Sequence, residues 1–207
     1  MVPKARVNMD RSSEEIDLDR AIEIIKNGGV VVIPTETAYG LVADATNVSA
    51  VERIQSIKGR DLWKTPPLIV DSFETAEQFV ELTPRLRELA NQHWPGPLTI
   101  VAKAKESKLA KQVIREDGTI AVRVSSNSIA QAIARAINAP IVATSANLSG
   151  LPECYSVEGV QNQFKESSQQ PDFYVDGGTL KPVAPSTIIK EEYANIIILR
   201  QGETVVT

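Results

Sequence analysis

Short apolar runs alternate with amphipathic segments along most of the chain. Residues 14–26 carry isoleucine and leucine at helical spacing after an acidic first turn, and the Asn-Gly-Gly at 27–29 is typical of a helix end. Residues 30–33 are wholly apolar, which is typical of a strand buried on both faces. The pattern therefore predicts a helix that leads into a central strand.

The same alternation continues to the end of the chain and predicts one α/β domain. We expect residues 1–13 to form a flexible arm and residues 14–207 to form the domain. Further helices are predicted over residues 50–57, 75–82, 84–92 and 128–137, and further strands over residues 68–70, 98–102, 120–124, 141–143, 183–189 and 196–199.

Composition supports a sizeable buried core. Of the 207 residues, 43% are apolar and 23% are charged, which argues against a disordered chain. The apolar runs are far shorter than a membrane span needs, and no apolar signal region follows the N-terminus. We therefore expect a cytoplasmic protein without membrane contact.

Residue counts exclude several kinds of chemistry. Cys154 is the single cysteine and His93 the single histidine, so an intrachain disulfide, a thiolate zinc site and a multi-histidine metal centre are impossible. We expect Cys154 to be an unreactive thiol and His93 a local hydrogen-bonding group. The net charge of −4 argues against non-specific affinity for nucleic acid.

Polar side chains follow several of the predicted strands. Hydroxyl, amide and guanidinium groups suit an anionic ligand such as phosphate or carboxylate, although each strand end alone is also explained by ordinary turn chemistry. Neither a Walker A motif nor G-x-G-x-x-G is present, so any nucleotide would need another kind of pocket. Lys58-Gly59-Arg60 could bind one anion with both cations, or could simply end a helix. As a loop cation, Lys58 is expected to contribute little to stability.

Six motifs occur together in a familiar order: Pro-Thr-Glu-Thr-Ala-Tyr-Gly-Leu at 34–41, Lys-Gly-Arg at 58–60, Trp-Pro-Gly-Pro-Leu-Thr at 94–99, Thr-Ser-Ala-Asn at 144–147, Asp-Gly-Gly at 176–178 and Pro-Ser-Thr-Ile at 185–188. Over about residues 14–203 the chain resembles the YrdC-type threonylcarbamoyl-AMP synthases in their short, single-domain form. This resemblance implies a twisted, open, mixed sheet flanked by helices.

The resemblance also implies a reaction and its site. L-threonine, bicarbonate and ATP would give threonylcarbamoyl-adenylate and pyrophosphate, which makes the enzyme a nucleotidyltransferase of tRNA modification. The catalytic residues would be Lys58, Arg60, Ser145 and Asn147, which would bind ATP together with Thr119 and Arg200. Threonine would be bound by Thr37, Arg123 and Ser186. Magnesium would arrive on ATP rather than at a protein metal site, and a tRNA threonylcarbamoyl-transfer enzyme would be the downstream partner.

The chain departs from its relatives near the expected threonine site. Asp71 stands where many relatives have histidine, Ser125 stands in the segment where they have proline and histidine, and the link after Arg60 is longer. Two alternatives stay open: a related carbamoyl-adenylate enzyme with another amino acid, and an RNA-binding module. The net charge and the 5% of aromatic residues disfavour the second, so direct tRNA binding is expected to be weak or absent.

Overall fold

The structure is a computed structural model that describes residues 13–59 and 65–206. Within these ranges there are six α-helices, ten β-strands and a short 3-10 helix at Lys111–Val113. The helices are α1 (Ser13–Lys26), α2 (Val48–Ile57), α3 (Phe73–Phe79), α4 (Pro84–His93), α5 (Ser128–Ile137) and α6 (Val157–Phe164). The strands are β1 (Val31–Pro34), β2 (Tyr39–Asp44), β3 (Leu68–Val70), β4 (Val80–Glu81), β5 (Leu98–Ala104), β6 (Thr119–Val124), β7 (Ile141–Ser145), β8 (Phe173–Tyr174), β9 (Thr187–Glu192) and β10 (Asn195–Arg200).

All ten strands belong to one mixed sheet. Its order is β10-β9-β5-β6-β3-β7-β2-β1-β8, and β4 pairs with the end of β5. The pairs β1/β8, β3/β6 and β5/β9 are parallel, and the remaining pairs are antiparallel. The predicted α/β fold with an open, mixed sheet flanked by helices is therefore confirmed.

Helices pack on both faces of the sheet. On one face, α2, α3, α4 and α6 contribute residues such as Ile54, Leu89 and Phe164 to a large apolar cluster. On the other face, α1 and α5 pack against β1, β2, β3 and β7. Arg123 of β6 is paired in register with Ile69 of that second cluster, so both side chains lie on the same face. Arg123 and Ala121 of β6 and Ala143 of β7 also line a cavity.

Helix α5 has a cap at each end. The side chain of Asn127 accepts backbone N–H groups at the start of α5, and Asn138 ends the helix with φ of 56°. The predicted bounds of α5 are correct. Residues 1–12 of the expected arm lie outside the described residues.

Two predicted elements differ clearly from the structure, and strand β2 was missed. The helix expected over residues 75–82 ends at Phe79, because Val80 turns into strand β4 and pairs with Ala104. The strand expected over residues 183–189 begins only at Thr187, after two prolines. Strand β2 was not predicted, because it begins inside the motif at 34–41 that we interpreted as ligand chemistry.

No helix among residues 13–59 and 65–206 has the length and apolar character needed to cross a membrane.

Asp172 ties three distant segments together. Its carboxylate accepts a hydrogen bond of 2.8 Å from the backbone N–H of Val30 and one of 2.7 Å from Nη2 of Arg53 in α2. Burial raises the pKa of Asp172, but the hydrogen bonds from Arg53 and Val30 outweigh it and hold this pKa below its ordinary value. Ionised Asp172 therefore stabilises the fold above the ordinary pKa of aspartate, and this contribution is lost as the pH falls.

We expect Asp172→Asn to lower the free energy of unfolding at pH 7 by about 1–3 kcal/mol, because charge-assisted hydrogen bonds become weaker neutral ones. The difference from the wild type should shrink below about pH 4, where the carboxyl protonates in the unfolded chain. Urea unfolding at pH 7 and pH 3 measures both effects. Glu116→Gln, at an exposed position, is the control. A difference that is equal at both pH values would contradict this account.

Candidate active site

A cavity of about 460 Å³ opens on the sheet face next to α5, which is within the range of small-molecule sites. Loops and strand ends from separate parts of the chain form its walls. The predicted site residues that line it are Thr37, Lys58, Arg123, Ser145, Asn147, Ser186 and Arg200. Arg60 lies outside the described residues.

Lys58 is a buried cation at the end of α2. Only 4% of the residue is exposed. Its ammonium group donates to the backbone carbonyl of Ser145, and to the backbone carbonyl of Asn147 at 2.8 Å and Oδ1 of Asn147 at 3.1 Å. Lys58 is therefore a buried, hydrogen-bonded cation rather than a loop cation, and we expect it to contribute more to stability than the sequence suggested.

Asn147 completes this arrangement from the other side. Its side-chain Nδ2 donates to the backbone carbonyl of Leu151 at 2.6 Å and to that of Leu148 at 3.1 Å. The backbone N–H of Ser149 donates to the carbonyl of Lys58 at 3.0 Å. The end of α2 and the segment after β7 are thus held together, and Ser145 lines the cavity.

Arg123 of strand β6 lines the same cavity and is paired with Glu36. The distance between Nη1 of Arg123 and Oε1 of Glu36 is 3.2 Å, and the two side chains are only 10% and 11% exposed. The other oxygen of Glu36 accepts a hydrogen bond from the hydroxyl of Ser125, which is fully buried. Among the described residues, Nε and Nη2 of Arg123 have no hydrogen-bond partner. Their N–H groups are therefore available to a ligand.

The departures from the family pattern have local explanations. Ser125 supports Glu36, as described above. Asp71 accepts a hydrogen bond of 2.6 Å from Thr75 and pairs with Arg135 at 3.4 Å, and it does not line the cavity. Neither residue contacts the space that a ligand would occupy.

Arg200 and Ser186 form one unit although the resemblance assigned them to different ligands. Arg200 donates from Nε and Nη2 to the backbone carbonyl of Ser186, and from Nη2 to its hydroxyl at 2.9 Å. The hydroxyls of Ser186 and Thr99 are 2.9 Å apart. Burial lowers the pKa of Arg200; the carboxylate of Glu153 opposes this effect and the nearby charge of Arg123 adds to it.

The structure does not bring Thr119 to the cavity. Its hydroxyl donates to Asp117 at 2.6 Å, and the residue lies at a separate depression beside Lys190 and Tyr193. The hydrogen bond from Thr119 is the main reason why the pKa of Asp117 falls to about 2. Asp-Gly-Thr is a common turn sequence, so this local partnership could have been predicted.

Three lining or supporting residues were missed. Arg115 and Glu153 line the cavity, and Glu36 supports Arg123 from behind. A glutamate in a loop after a strand is usually solvated, whereas Glu36 is buried and ion-paired. No sequence signal distinguishes Arg115 from an ordinary loop cation.

Cys154 follows the lining residue Glu153 and has the environment of an unreactive thiol. The residue is buried, and burial raises the pKa of its thiol, although the positive charge of Lys58 acts in the opposite direction. A protonated, buried thiol is unreactive at neutral pH.

Residues 23–202 match the Sua5/YciO/YrdC family model, whose description is telomere recombination. Sua5 from P. abyssi, in complex with L-threonine, is 34% identical with a TM-score of 0.83, and the match covers 93% of this chain and 56% of that one. YciO from E. coli is 26% identical with a TM-score of 0.80, and the match covers 93% and 92%. HypF from T. kodakarensis, at 21% identity and a TM-score of 0.75, shares the fold.

The chain spans just over half the length of P. abyssi Sua5 and nearly all of E. coli YciO. The order of its motifs, the mixed sheet and the match over residues 23–202 agree with one another. The chain belongs to the Sua5/YciO/YrdC family.

Proposed function

We propose that this chain is a threonylcarbamoyl-adenylate synthase, a nucleotidyltransferase that uses L-threonine, bicarbonate and ATP and releases pyrophosphate. The observation that carries the proposal is one cavity that is lined both by Arg123 and by the hydrogen-bonded unit of Lys58, Ser145 and Asn147. The complex of P. abyssi Sua5 with L-threonine supports the choice of amino acid.

Arg123 is the proposed receptor for the threonine carboxylate. Because Glu36 pairs with Nη1 alone, the donors on Nε and Nη2 can take a carboxylate in a two-point contact. The hydroxyls of Thr37 and Ser186 line the same cavity and would bind the polar groups of the substrate. A buried hydroxyl partner of this kind discriminates against a substrate that lacks the hydroxyl.

The proposed chemistry has two steps. The threonine amine and bicarbonate form an N-carboxylate with loss of water. An oxygen of this carbamate then attacks the α-phosphorus of ATP; the new O–P bond forms as the bond to the β-phosphate oxygen breaks, and pyrophosphate leaves with the electron pair. Since two anions must come together, positioned positive charge is the main catalytic requirement.

The cavity wall supplies that charge. Lys58 places an ammonium group beside Ser145 and Asn147, whose segment it also fixes. We propose that Lys58, Ser145, Asn147 and Arg60 stabilise the reacting phosphate, and that Arg200 holds the nucleotide. A contact from Thr119 to ATP would have to come from outside this cavity, because its hydroxyl is bound to Asp117.

Magnesium is proposed to enter as the ATP complex. Glu153 is the one carboxylate among the described residues that line the cavity. In the described part of the chain, no group of three or more metal-ligating side chains is found. Phosphate oxygens are the ligands that Mg²⁺ commonly takes in nucleotide sites.

We further propose that the product serves the threonylcarbamoyladenosine modification of tRNA in the cytoplasm, through a separate transfer enzyme. The adenylate is a mixed anhydride, and a second enzyme must transfer its threonylcarbamoyl group to tRNA with release of AMP. In this proposal the chain itself has no need to bind tRNA.

We expect pyrophosphate release from ATP only when L-threonine, bicarbonate and Mg²⁺ are all present, with threonylcarbamoyl-adenylate detected by mass spectrometry. Valine is nearly isosteric with threonine but would leave the hydroxyl partners unpaired, so its kcat/KM should be lower by about 10-fold or more. Serine at matched concentration is the third substrate. If no adenylate forms from any amino acid, the proposal is overturned. A clear preference for another amino acid would favour the alternative, a related carbamoyl-adenylate enzyme.

A further inference from the structure

Arg115 differs from the other cations of the cavity. Lys58 bonds to Asn147, Arg123 pairs with Glu36, and Arg200 bonds to Ser186. Arg115 lines the same cavity, but its Nε is buried without a hydrogen-bond partner. Within the described ranges, its guanidinium has no carboxylate at ion-pair distance. A buried guanidinium donor without an acceptor is costly, which points to an acceptor supplied by a ligand.

The neighbouring carboxylates do not serve Arg115. Asp117 accepts from Thr119 at 2.6 Å and pairs with Lys190 at 3.1 Å. Glu116 is exposed on the surface. The charge of Arg115 is therefore not balanced by its own loop.

The backbone fixes the place from which Arg115 reaches the cavity. Its N–H donates to the carbonyl of Thr119 at 2.8 Å, and its carbonyl accepts from Gly118 at 2.9 Å. Gly118 has φ of 74°, which suits glycine. Because backbone atoms make these contacts, the side chain can be replaced while the turn is kept.

We propose that Arg115 binds the polyphosphate chain of the nucleotide substrate. Arginine stays charged at all relevant pH values, and its planar fork matches phosphate oxygens. The amino-acid carboxylate already has a receptor in Arg123, whereas a triphosphate brings several further negative charges into the cavity. The inference rests on the proposed function insofar as ATP is the substrate.

Calorimetric titration of the wild type and of Arg115→Ala with ATP, pyrophosphate and AMP tests this inference. We expect Arg115→Ala to lower the affinity for ATP and for pyrophosphate by about 10–100-fold, because one or two charge-assisted hydrogen bonds are lost. AMP, with one phosphate, should change by less than about 3-fold. The affinities of Arg115→Lys should lie between those of the wild type and Arg115→Ala, because lysine keeps the charge but loses the two-point contact of the guanidinium. Lys111→Ala removes an exposed charge from the 3-10 helix just before Arg115 and should leave all three affinities unchanged.

Each other outcome has a definite meaning. Equal weakening of AMP and ATP would overturn the inference, because it would place Arg115 on the base, the ribose or the α-phosphate that the two share. Unchanged binding of ATP and pyrophosphate by Arg115→Ala would overturn it too. Failure of the wild type to bind ATP and pyrophosphate would overturn it as well. If the wild type binds ATP in an Arg115-dependent way but forms no adenylate from any amino acid, the proposed function fails and this inference stands. If the adenylate forms and the affinities of Arg115→Ala are unchanged, the proposed function stands and this inference fails.

Discussion

Lys58→Ala is expected to lower the rate of pyrophosphate release by more than about 100-fold and the free energy of unfolding by about 2–4 kcal/mol. The ammonium group satisfies two backbone carbonyls and Oδ1 of Asn147 in a nearly water-free position. Alanine would leave these acceptors without a donor and would remove a positive charge from the cavity wall. The loss of activity and the loss of stability therefore have the same structural cause.

The two losses can be measured separately. Urea unfolding gives the stability of Lys58→Ala, and activity is measured at a temperature at which circular dichroism shows the variant folded. Lys103→Ala is the matched control, since its side chain is 71% exposed and pairs only loosely with Glu81 at 3.6 Å. Normal turnover by a folded Lys58→Ala would show that this cation has no part in the reaction. Unchanged stability would contradict the hydrogen-bonding role.

The burial of Lys58 was not predictable from the sequence for a definite reason. Its acceptors are 87 and 89 residues away along the chain, so no local pattern indicates that the end of α2 meets the exit of β7. Lys58-Gly59-Arg60 by itself indicates only an anion site or the end of a helix. Long-range pairing of this kind is set by sheet topology, which the alternation of elements does not fix.

Local signals did predict much of the fold. The bounds of α5 follow from Asn127 before the helix and Asn138 after it, together with the apolar periodicity between them. Strand β4 shows the limit of the same reasoning. Val80 and Glu81 continue the helical pattern, but pairing with β5 outweighs that preference.

In the candidate site, too, some residues were predictable from the sequence and others were not. Motif order placed Lys58, Ser145, Asn147 and Arg123 in one site, and all four line one cavity. Motif order could not show that Glu36 is the partner of Arg123, because the two lie in distant parts of the sequence. The same is true of Ser125, which is 89 residues from Glu36. Thr119 lies elsewhere because its own turn captures its hydroxyl.

Arg123→Gln is expected to raise the KM for threonine by about 100-fold or more while KM for ATP changes little, because the carboxylate loses a charged two-point receptor. The same change leaves Glu36 buried with the hydroxyl of Ser125 as its remaining donor. An uncompensated buried charge destabilises a protein by about 3–5 kcal/mol, so the variant should also unfold at lower urea concentration.

The double variant Arg123→Gln with Glu36→Gln separates binding from folding. Removing the buried carboxylate should restore most of the stability, since a neutral pair costs far less to bury than a single charge. It should not restore threonine use, because no cation then faces the substrate carboxylate from that wall. Initial rates against threonine concentration, together with urea unfolding of the wild type, both single variants and the double variant, measure the two effects. A double variant that regains the KM of the wild type would mean that Arg123 serves only to balance Glu36, and the amino-acid carboxylate would then have to bind elsewhere in the cavity.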